Sequence, residues 1–276
     1  MTSHLPPELP IDPSTEQITA FGSAPAAAVI AECLRVQREV PARSTAARIF
    51  GRSPLSDESR PWYVGALGEL DVARRLEMLG PDWTVLHAVP IGTRGSDIDH
   101  VIVGSAGVFT INTKFHEDAK VWVGSRRLLV NGQRKDHLRN ARYEADRVRR
   151  LLTTATGEDL PVSGLVVIVG AKEITVREQP ADVRVLRATD LVRWLRRQKR
   201  RLEPEQIEKI AAIMSRRDTW TAAAAPPDNR PEFIALQREV VAAKGVRMLW
   251  AAGALLAVIG VAAPWAFDFS ARVLGG

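Results

Sequence analysis

The feature that most restricts the possible fold is the stretch 95–114, which has the pattern of a β-hairpin. Two runs rich in β-branched residues, 98–103 and 108–113, favour strands. The sequence between them, 104–107, reads Gly-Ser-Ala-Gly, which is typical of a turn. We therefore expect two antiparallel strands joined by a short connection, with the rest of the core built around them.

Four polar residues interrupt these apolar strands. Side chains alternate across a strand, so Asp97 and Asp99 share one face of the first strand. By the same rule Asn112 and Lys114 share one face of the second strand. If the two faces coincide, carboxylate, amide and ammonium groups meet at one end of a small sheet. Carboxylate and amide oxygens are ligands for a hard cation, and an ammonium can offset negative charge on a phosphate.

Another carboxylate lies on the apolar side of a helix predicted over 62–79. Helical spacing puts Glu69 on the same side as Val72 and Leu76. A carboxylate in that position is costly unless it is paired, hydrogen-bonded or bound to a metal ion. Two interpretations stay open: Glu69 bonds a neighbouring amide or arginine, or it belongs to a metal site.

The order of the predicted elements indicates a mixed α/β domain. A strand over 83–90 and the hairpin follow the first helix. An amphipathic helix over 133–152 then precedes a strand over 165–169 that is apolar on both faces. Helix, three strands, helix and strand imply helices layered on a mixed sheet. The smaller predicted elements are a hairpin, a strand and two helices, at 121–130, 183–186, 189–201 and 204–217.

The net charge of +6 and the pI of about 9.9 favour anionic partners, either nucleic acid or an anionic membrane surface. Many basic residues lie on the outer face of the helix predicted over 133–152, and they are either phosphate contacts or a solvated surface. Cys33 is the single cysteine, which excludes an intramolecular disulfide and a cysteine-rich metal site. The candidate nucleic-acid contacts are Arg134, Lys135, Arg139 and Arg142.

Three segments, taken in order, resemble a known family. They read GALGE at 65–69, GSDIDHVIVG at 95–104 and GVFTINTK at 107–114. The series resembles the nuclease-related (NERD) domain, a branch of the PD-(D/E)xK nuclease superfamily, over about residues 62–152 and more loosely to 169. The resemblance implies a restriction-endonuclease-like αβββαβ core with a mixed sheet.

The resemblance also implies roles for single residues. Glu69 corresponds to the helix carboxylate, Asp99 to the central metal ligand and Lys114 to the motif lysine. Asn112 stands where the family pattern usually has Glu, which removes one negative charge from the site. This departure implies weaker metal binding, an ion held by Asp99 and backbone oxygens, or a domain that binds without cutting.

The function implied is metal-dependent hydrolysis of phosphodiester bonds in DNA or RNA. Asp99 and Asn112 would hold Mg²⁺ or Mn²⁺, and Lys114 and Glu69 would be catalytic. The alternative is a catalytically weak or inactive module that binds nucleic acid or a protein partner at a membrane. The candidate accessory residues are Asp97 and His116, the latter expected in solvent by default.

The stretch 248–267 contains no charged residue and is long enough to cross a bilayer. Trp250 and Trp265 lie near its ends, where aromatic residues meet the membrane interface. A buried core helix is the alternative, which the preceding Ala/Pro-rich linker disfavours. Lys244 and Arg247 precede the stretch and favour a cytoplasmic N-terminal side. We expect a single-pass protein of the cell membrane whose N-terminal domain is cytoplasmic and whose C-terminal helix contacts lipid.

These patterns divide the chain into successive parts. The parts are a Pro-rich, partly helical extension at 1–60, a nuclease-like domain with C-terminal helices at 61–220, a linker and short helix at 221–247, a transmembrane helix at 248–267 and a short tail at 268–276.

Overall fold

The structure is a computed structural model that describes residues 24–91, 97–220 and 228–274, with side chains described as far as residue 260. The described residues form seven α-helices and nine β-strands. The helices are α1 (Ala27–Arg38), α2 (Thr45–Ile49), α3 (Ser59–Glu77), α4 (His137–Thr156), α5 (Leu191–Arg196), α6 (Pro204–Met214) and α7 (Arg230–Leu274). The strands are β1 (Thr84–Pro90), β2 (Asp97–Gly104), β3 (Gly107–Phe115), β4 (Lys120–Val123), β5 (Leu128–Val130), β6 (Gln133–Lys135), β7 (Val162–Val169), β8 (Glu173–Val176) and β9 (Val183–Arg187).

The chain divides into two compact units. The first comprises Met1–Cys33 and Pro61–Asn229, and the second comprises Leu34–Arg60 and Arg230–Gly276. Residues 34–60, which the sequence analysis assigned to an N-terminal extension, therefore group with the C-terminal helix.

The first unit is built on a five-stranded sheet with the order β1-β2-β3-β7-β9. β1, β2 and β3 are antiparallel neighbours, whereas β3, β7 and β9 run parallel, so the sheet is mixed. A smaller sheet has the order β6-β5-β4-β8. In chain order α3, β1 to β3, α4 and β7 form the αβββαβ core, which confirms the predicted fold class.

Helices cover both faces of the larger sheet. On one face, Val72 of α3 and Leu191 of α5 pack with Ile111 of β3. On the other face, Leu138 of α4 packs with Val166 of β7. β7 lies between β3 and β9 and is buried along most of its length, as its apolar sequence predicted for a central strand.

The segment between β4 and α4 differs from its prediction. We expected a single hairpin over 121–130, followed by a helix that begins at residue 133. Instead the pair Asn131-Gly132 joins β5 to the short strand β6, and α4 begins at His137. Asn131 and Gly132 both have positive φ, at 48° and 81°. Such a pair favours a tight two-residue turn, which adds one strand before the helix can start.

The second unit is dominated by α7, a continuous helix of 45 residues. The sequence analysis separated a short helix from a span at 248–267, but α7 covers both without a break. Gly245 lies between them, and one glycine costs a helix only about 1 kcal/mol relative to alanine, which a helix of this length tolerates. Within the described ranges, Arg230–Gly260 is long and apolar enough to cross a membrane, judged by length and composition.

The C-terminal end of α2 and the residue after it contact the apolar part of α7. The indole N–H of Trp250 donates to the backbone carbonyl of Ile49 at 2.8 Å. The ring of Trp250 also lies 5.4 Å from the ring of Phe50, centroid to centroid. All three side chains remain largely exposed.

Candidate nuclease site

The site begins where β2 and β3 separate. Their pairing runs from Gly104 and Gly107 to His100 and Ile111. Just beyond it, the backbone N–H of Thr113 donates to Oδ2 of Asp99 at 2.5 Å. The Asp99 carboxylate therefore occupies the gap between the diverging strands, in place of a backbone partner.

Asn112 meets a residue of α4 that the sequence analysis did not single out. Its Nδ2 donates to Oε1 of Glu144 at 2.6 Å, and the two residues are only 5% and 8% exposed. Glu144 follows Ala141 by three positions and precedes Val148 by four, so it lies in the apolar stripe of α4. A carboxylate on the apolar side of a helix is the pattern that singled out Glu69, and Glu144 shows the same pattern.

Glu69 reaches the site from α3. Its neighbour Gly68 lies against β3, since a Cβ added to Gly68 would be 3.3 Å from Cβ of Phe115. Burial raises the pKa of Glu69 well above its usual range, and the charges of Asp99 and Asp97 raise it further. Lys114 acts in the opposite direction. The effect of these three charges on Glu69 indicates that it lies near the residues of β2 and β3.

Lys114 is the cation that four carboxyl groups share. Burial raises the pKa of Glu69, Asp97, Asp99 and Glu144, with Asp97 at about 6 and Glu144 at about 8, and Lys114 lowers the pKa of all four. We call these five residues the acidic cluster. Four carboxylates and one ammonium leave three uncompensated negative charges when all are ionised. Such a cluster is expensive to keep charged without a further cation.

The donor set of the acidic cluster and Asn112 suits a hard divalent ion. In the described part of the chain, no three acidic, histidine or cysteine side chains are close enough to hold a metal ion by themselves. A metal ion here would therefore take a further kind of ligand, such as the amide oxygen of Asn112. Among described residues, Oδ1 of Asn112 and Oε2 of Glu144 are buried and find no hydrogen-bond partner. Unsatisfied buried oxygens and excess negative charge both fit Mg²⁺ or Mn²⁺.

His116 flanks the site but does not lie in solvent, so the default expectation for it was wrong. It is half-buried and stacks on His137, the first residue of α4, with 3.0 Å between the two Nε2 atoms. Burial and then Lys114 and Lys135 lower the pKa of His116, and burial is also the largest cause that lowers the pKa of His137, to about 3. Lys135 therefore lies on the side of the site that carries Lys114.

The four predicted nucleic-acid contacts do not share one helix face. Arg134 and Lys135 lie on β6, which corrects their assignment to the helix, because the Asn-Gly turn continues the sheet. Arg139 and Arg142 do lie on α4, where each pairs with a carboxylate. Arg139 is 3.0 Å from Asp136 and Arg142 is 2.5 Å from Asp182.

Comparisons with known proteins agree with this core. Residues 64–169 match the family model of the nuclease-related domain. No curated protein matches the chain. Among solved structures, the small subunit of the heterodimeric restriction endonuclease R.BspD6I has 13% sequence identity, covering 76% of this chain and 97% of its own. Its TM-score of 0.21 is too low to support a conclusion. The family match runs from α3 to the end of β7, so this part of the chain is similar to the nuclease-related domain family.

Proposed function

We propose that the nuclease-related domain is a divalent-metal-dependent phosphodiesterase that cleaves DNA or RNA. The observation that supports the proposal is the position of Asp99 where β2 and β3 separate, with its charge and that of Lys114 acting on the buried Glu69. In this arrangement one ammonium group serves several buried carboxyl groups, and burial raises the pKa of Glu69 and Asp99, so their ionised forms need a further cation. A structural ion pair needs only one carboxylate for each ammonium group, whereas a cation site gains from several carboxylates.

Each residue has a distinct role in this proposal. Asp99 and Asn112 would hold Mg²⁺ or Mn²⁺, which when bound would supply Lewis-acid stabilisation of negative charge on the phosphate. Lys114 orients the attacking water or offsets the developing negative charge. Glu69, fixed on α3, acts as the helix carboxylate that orients water beside Lys114. Asp97 is an accessory carboxylate at the start of β2.

Nucleic acid would reach the site across a basic surface. Arg134 and Lys135 on β6 are the better candidates for phosphate contact. The charges of Lys135 and Lys114 both lower the pKa of His116 and of His137, so Lys135 lies near the site. Arg139 and Arg142 already pair with carboxylates, so a phosphate would have to compete for them. Neutralising phosphates releases counterions, so binding through these residues weakens as salt rises.

The membrane part of the proposal rests on α7. We infer that α7 crosses the cell membrane once, with the nuclease-related domain on the cytoplasmic side. Its apolar side chains near the start of the span are strongly exposed, as a lipid-facing helix requires. Trp250 and its neighbour Phe50 suit the headgroup region, where aromatic rings concentrate.

A second candidate function follows from Asn112. An amide at this position carries one charge less than the usual carboxylate, which favours a domain that binds nucleic acid or a protein partner without cutting it. The two functions differ in one measurable property, which is metal-dependent cleavage.

The test uses the full chain purified in detergent. It is incubated with plasmid, linear duplex, single-stranded DNA and RNA, with Mg²⁺, Mn²⁺ or a chelator. We expect cleavage with metal only, and a loss of about 100-fold or more in Asp99→Ala and Lys114→Ala. Lys120→Ala, which changes an exposed lysine on β4, is the matched control and should cleave normally. Metal-independent cleavage, or binding of nucleic acid without any cleavage, would rule out the phosphodiesterase.

A further inference from the structure

The strand pair is one carboxylate short at Asn112, but a carboxylate lies directly against that side chain. Glu144 approaches from α4, and its Oε1 accepts the hydrogen bond from Nδ2 of Asn112 at 2.6 Å. Asp99 and Asn112 follow the last paired residues of β2 and β3, His100 and Ile111, and the negative charge of Asp99 acts on Glu144. Asp99, Asn112 and Glu144 are therefore mutual neighbours although they come from three different elements.

The hydrogen bond between Asn112 and Glu144 determines which of their atoms remain available. Nδ2 of Asn112 and Oε1 of Glu144 are used, which leaves Oδ1 and Oε2. Among the described residues neither of these oxygens has a hydrogen-bond partner, and both are buried. Two adjacent buried acceptors without a donor are costly, and one cation between them satisfies both.

The helix backbone, and not a flexible side-chain tip alone, brings Glu144 to the sheet. A Cβ added to Gly164 of β7 would lie 2.8 Å from the carbonyl oxygen of Ala141 and 3.4 Å from Cβ of Ala145. The absence of that side chain lets α4 approach β7 closely at the turn that carries Glu144. The contact is a fixed feature of the packing, as a preorganised ligand requires.

We propose that Glu144 supplies, from α4, the carboxylate that position 112 lacks, so that Asp99, Asn112 and Glu144 together hold one divalent metal ion. The inference rests on the proposed function, because it assumes that the acidic cluster binds a metal. It adds a ligand from outside the hairpin and restores the charge of the usual carboxylate pair. It also predicts that the positions of the amide and the carboxylate can be exchanged.

The competing explanation is that Glu144 only supports Asn112. Glu144→Gln separates the two explanations, since a glutamine oxygen can still accept the hydrogen bond from Asn112 but carries no charge. A supporting residue would leave metal affinity unchanged in this variant, whereas a ligand would lower it.

The experiment measures Mn²⁺ affinity by calorimetry on the full chain in detergent, without nucleic acid. Glu144→Gln should bind Mn²⁺ about tenfold more weakly or worse. The exchange variant Asn112→Glu with Glu144→Gln should recover most of that loss. Glu158→Gln, at an exposed carboxylate paired with Lys209, is the control and should bind as the unchanged chain does. Asp99→Asn tests the metal site itself.

The outcomes separate the two claims. Weakened binding in Glu144→Gln with recovery in the exchange variant supports the assignment. Normal binding in Glu144→Gln, with weakened binding in Asp99→Asn, overturns the role of Glu144 and leaves the metal site standing. Absence of Mn²⁺ binding by the unchanged chain overturns both. If Glu144→Gln does not fold, the exchange variant decides, and a folded exchange variant that binds no better than Asp99→Asn overturns the assignment.

Discussion

At the scale of single residues, the buried carboxyl group of Glu144 lowers the stability of the folded chain at neutral pH. Burial raises the pKa of Glu144 to about 8. The folded chain therefore keeps a proton that the unfolded chain releases above its usual pKa of about 4.5, and stability falls as pH rises from about 4.5 to 8. Functional sites commonly carry such costs.

Glu144→Gln is therefore expected to stabilise the metal-free chain. Glutamine keeps the hydrogen bond from Asn112 and has no proton to lose, so its advantage grows between pH 4.5 and 8. We predict a gain of about 1–3 kcal/mol in the free energy of unfolding at pH 7, measured by urea unfolding with chelator present. Glu158→Gln should change stability by less than about 0.5 kcal/mol. Equal stabilities of Glu144→Gln and the unchanged chain would contradict the burial of a costly carboxylate.

A buried histidine pair gives the opposite pH dependence. Nδ1 of His87 lies 2.8 Å from Nδ1 of His100, and burial lowers the pKa of His87 to about 4. Below pH 6.5 the unfolded chain takes up a proton that folded His87 does not, so stability falls on acidification towards pH 4. The loss from His87 amounts to about 3 kcal/mol.

The pH effect is measured by urea unfolding of the unchanged chain and His87→Gln at pH 7, 6 and 5. His87→Gln should be less stable at pH 7, where it loses a packed ring, yet its stability should fall less steeply on acidification. Parallel curves for the two proteins would show that His87 does not carry the effect.

The residues of the site differ in how well they could be predicted from the sequence. Strand alternation placed Asp97 and Asp99 on one face, and helical spacing placed Glu69 towards the core. Glu144 shows the same helical spacing, but its importance depends on the contact with Asn112, which only tertiary packing creates. The pairing of His116 with His137 also joins two elements that are separate in the sequence, so no local sequence pattern predicts it.

At the scale of elements, the periodicity of apolar residues predicted the core strands and helices. The differences from the prediction arise at a turn. The alternation in β2 and β3 and the apolar run of β7 predicted their places in a mixed sheet. The short β6 was missed because Gln133 to Lys135 also fits the outer face of a helix. The Asn131-Gly132 turn overrides that weak preference, since its positive φ values suit a hairpin.

The packing of α4 on β7 can be tested with one methyl group. Gly164→Ala would place its Cβ 2.8 Å from the Ala141 carbonyl oxygen and should push α4 away from the sheet. We expect a loss of about 1–3 kcal/mol in unfolding free energy and weaker Mn²⁺ binding, because Glu144 moves with the helix. Gly245→Ala is the control, since its methyl meets nothing within 4 Å. Unchanged stability and Mn²⁺ affinity in Gly164→Ala would show that α4 does not position the site.

At the scale of the whole molecule, a region that matches the nuclease-related domain precedes a helix long and apolar enough to cross a membrane. The sequence exposed both parts, because a long uncharged stretch and a strand-rich core have different patterns. It did not expose the grouping of residues 34–60 with α7, since such contacts join segments far apart in the chain. The contact between Trp250 and Ile49 is one example.

The orientation in the membrane has its own test. Reporters active only in the cytoplasm are fused to the N-terminus or to the C-terminus of the full chain. Lys244 and Arg247 precede the span, so the N-terminal fusion should be active and the C-terminal fusion silent. The reverse pattern would invert the topology, and recovery of the full chain without detergent in the soluble fraction would contradict the span.

The proposed metal site places Asp99, Asn112 and Glu144 around one divalent cation. The most direct measurement is a crystal structure of the full chain grown with Mn²⁺, with anomalous diffraction used to locate the metal. We expect an anomalous peak that lies about 2.0–2.6 Å from each of three atoms: a carboxylate oxygen of Asp99, Oδ1 of Asn112 and Oε2 of Glu144. No peak there at saturating Mn²⁺, or a peak only at other residues, would contradict the proposed site.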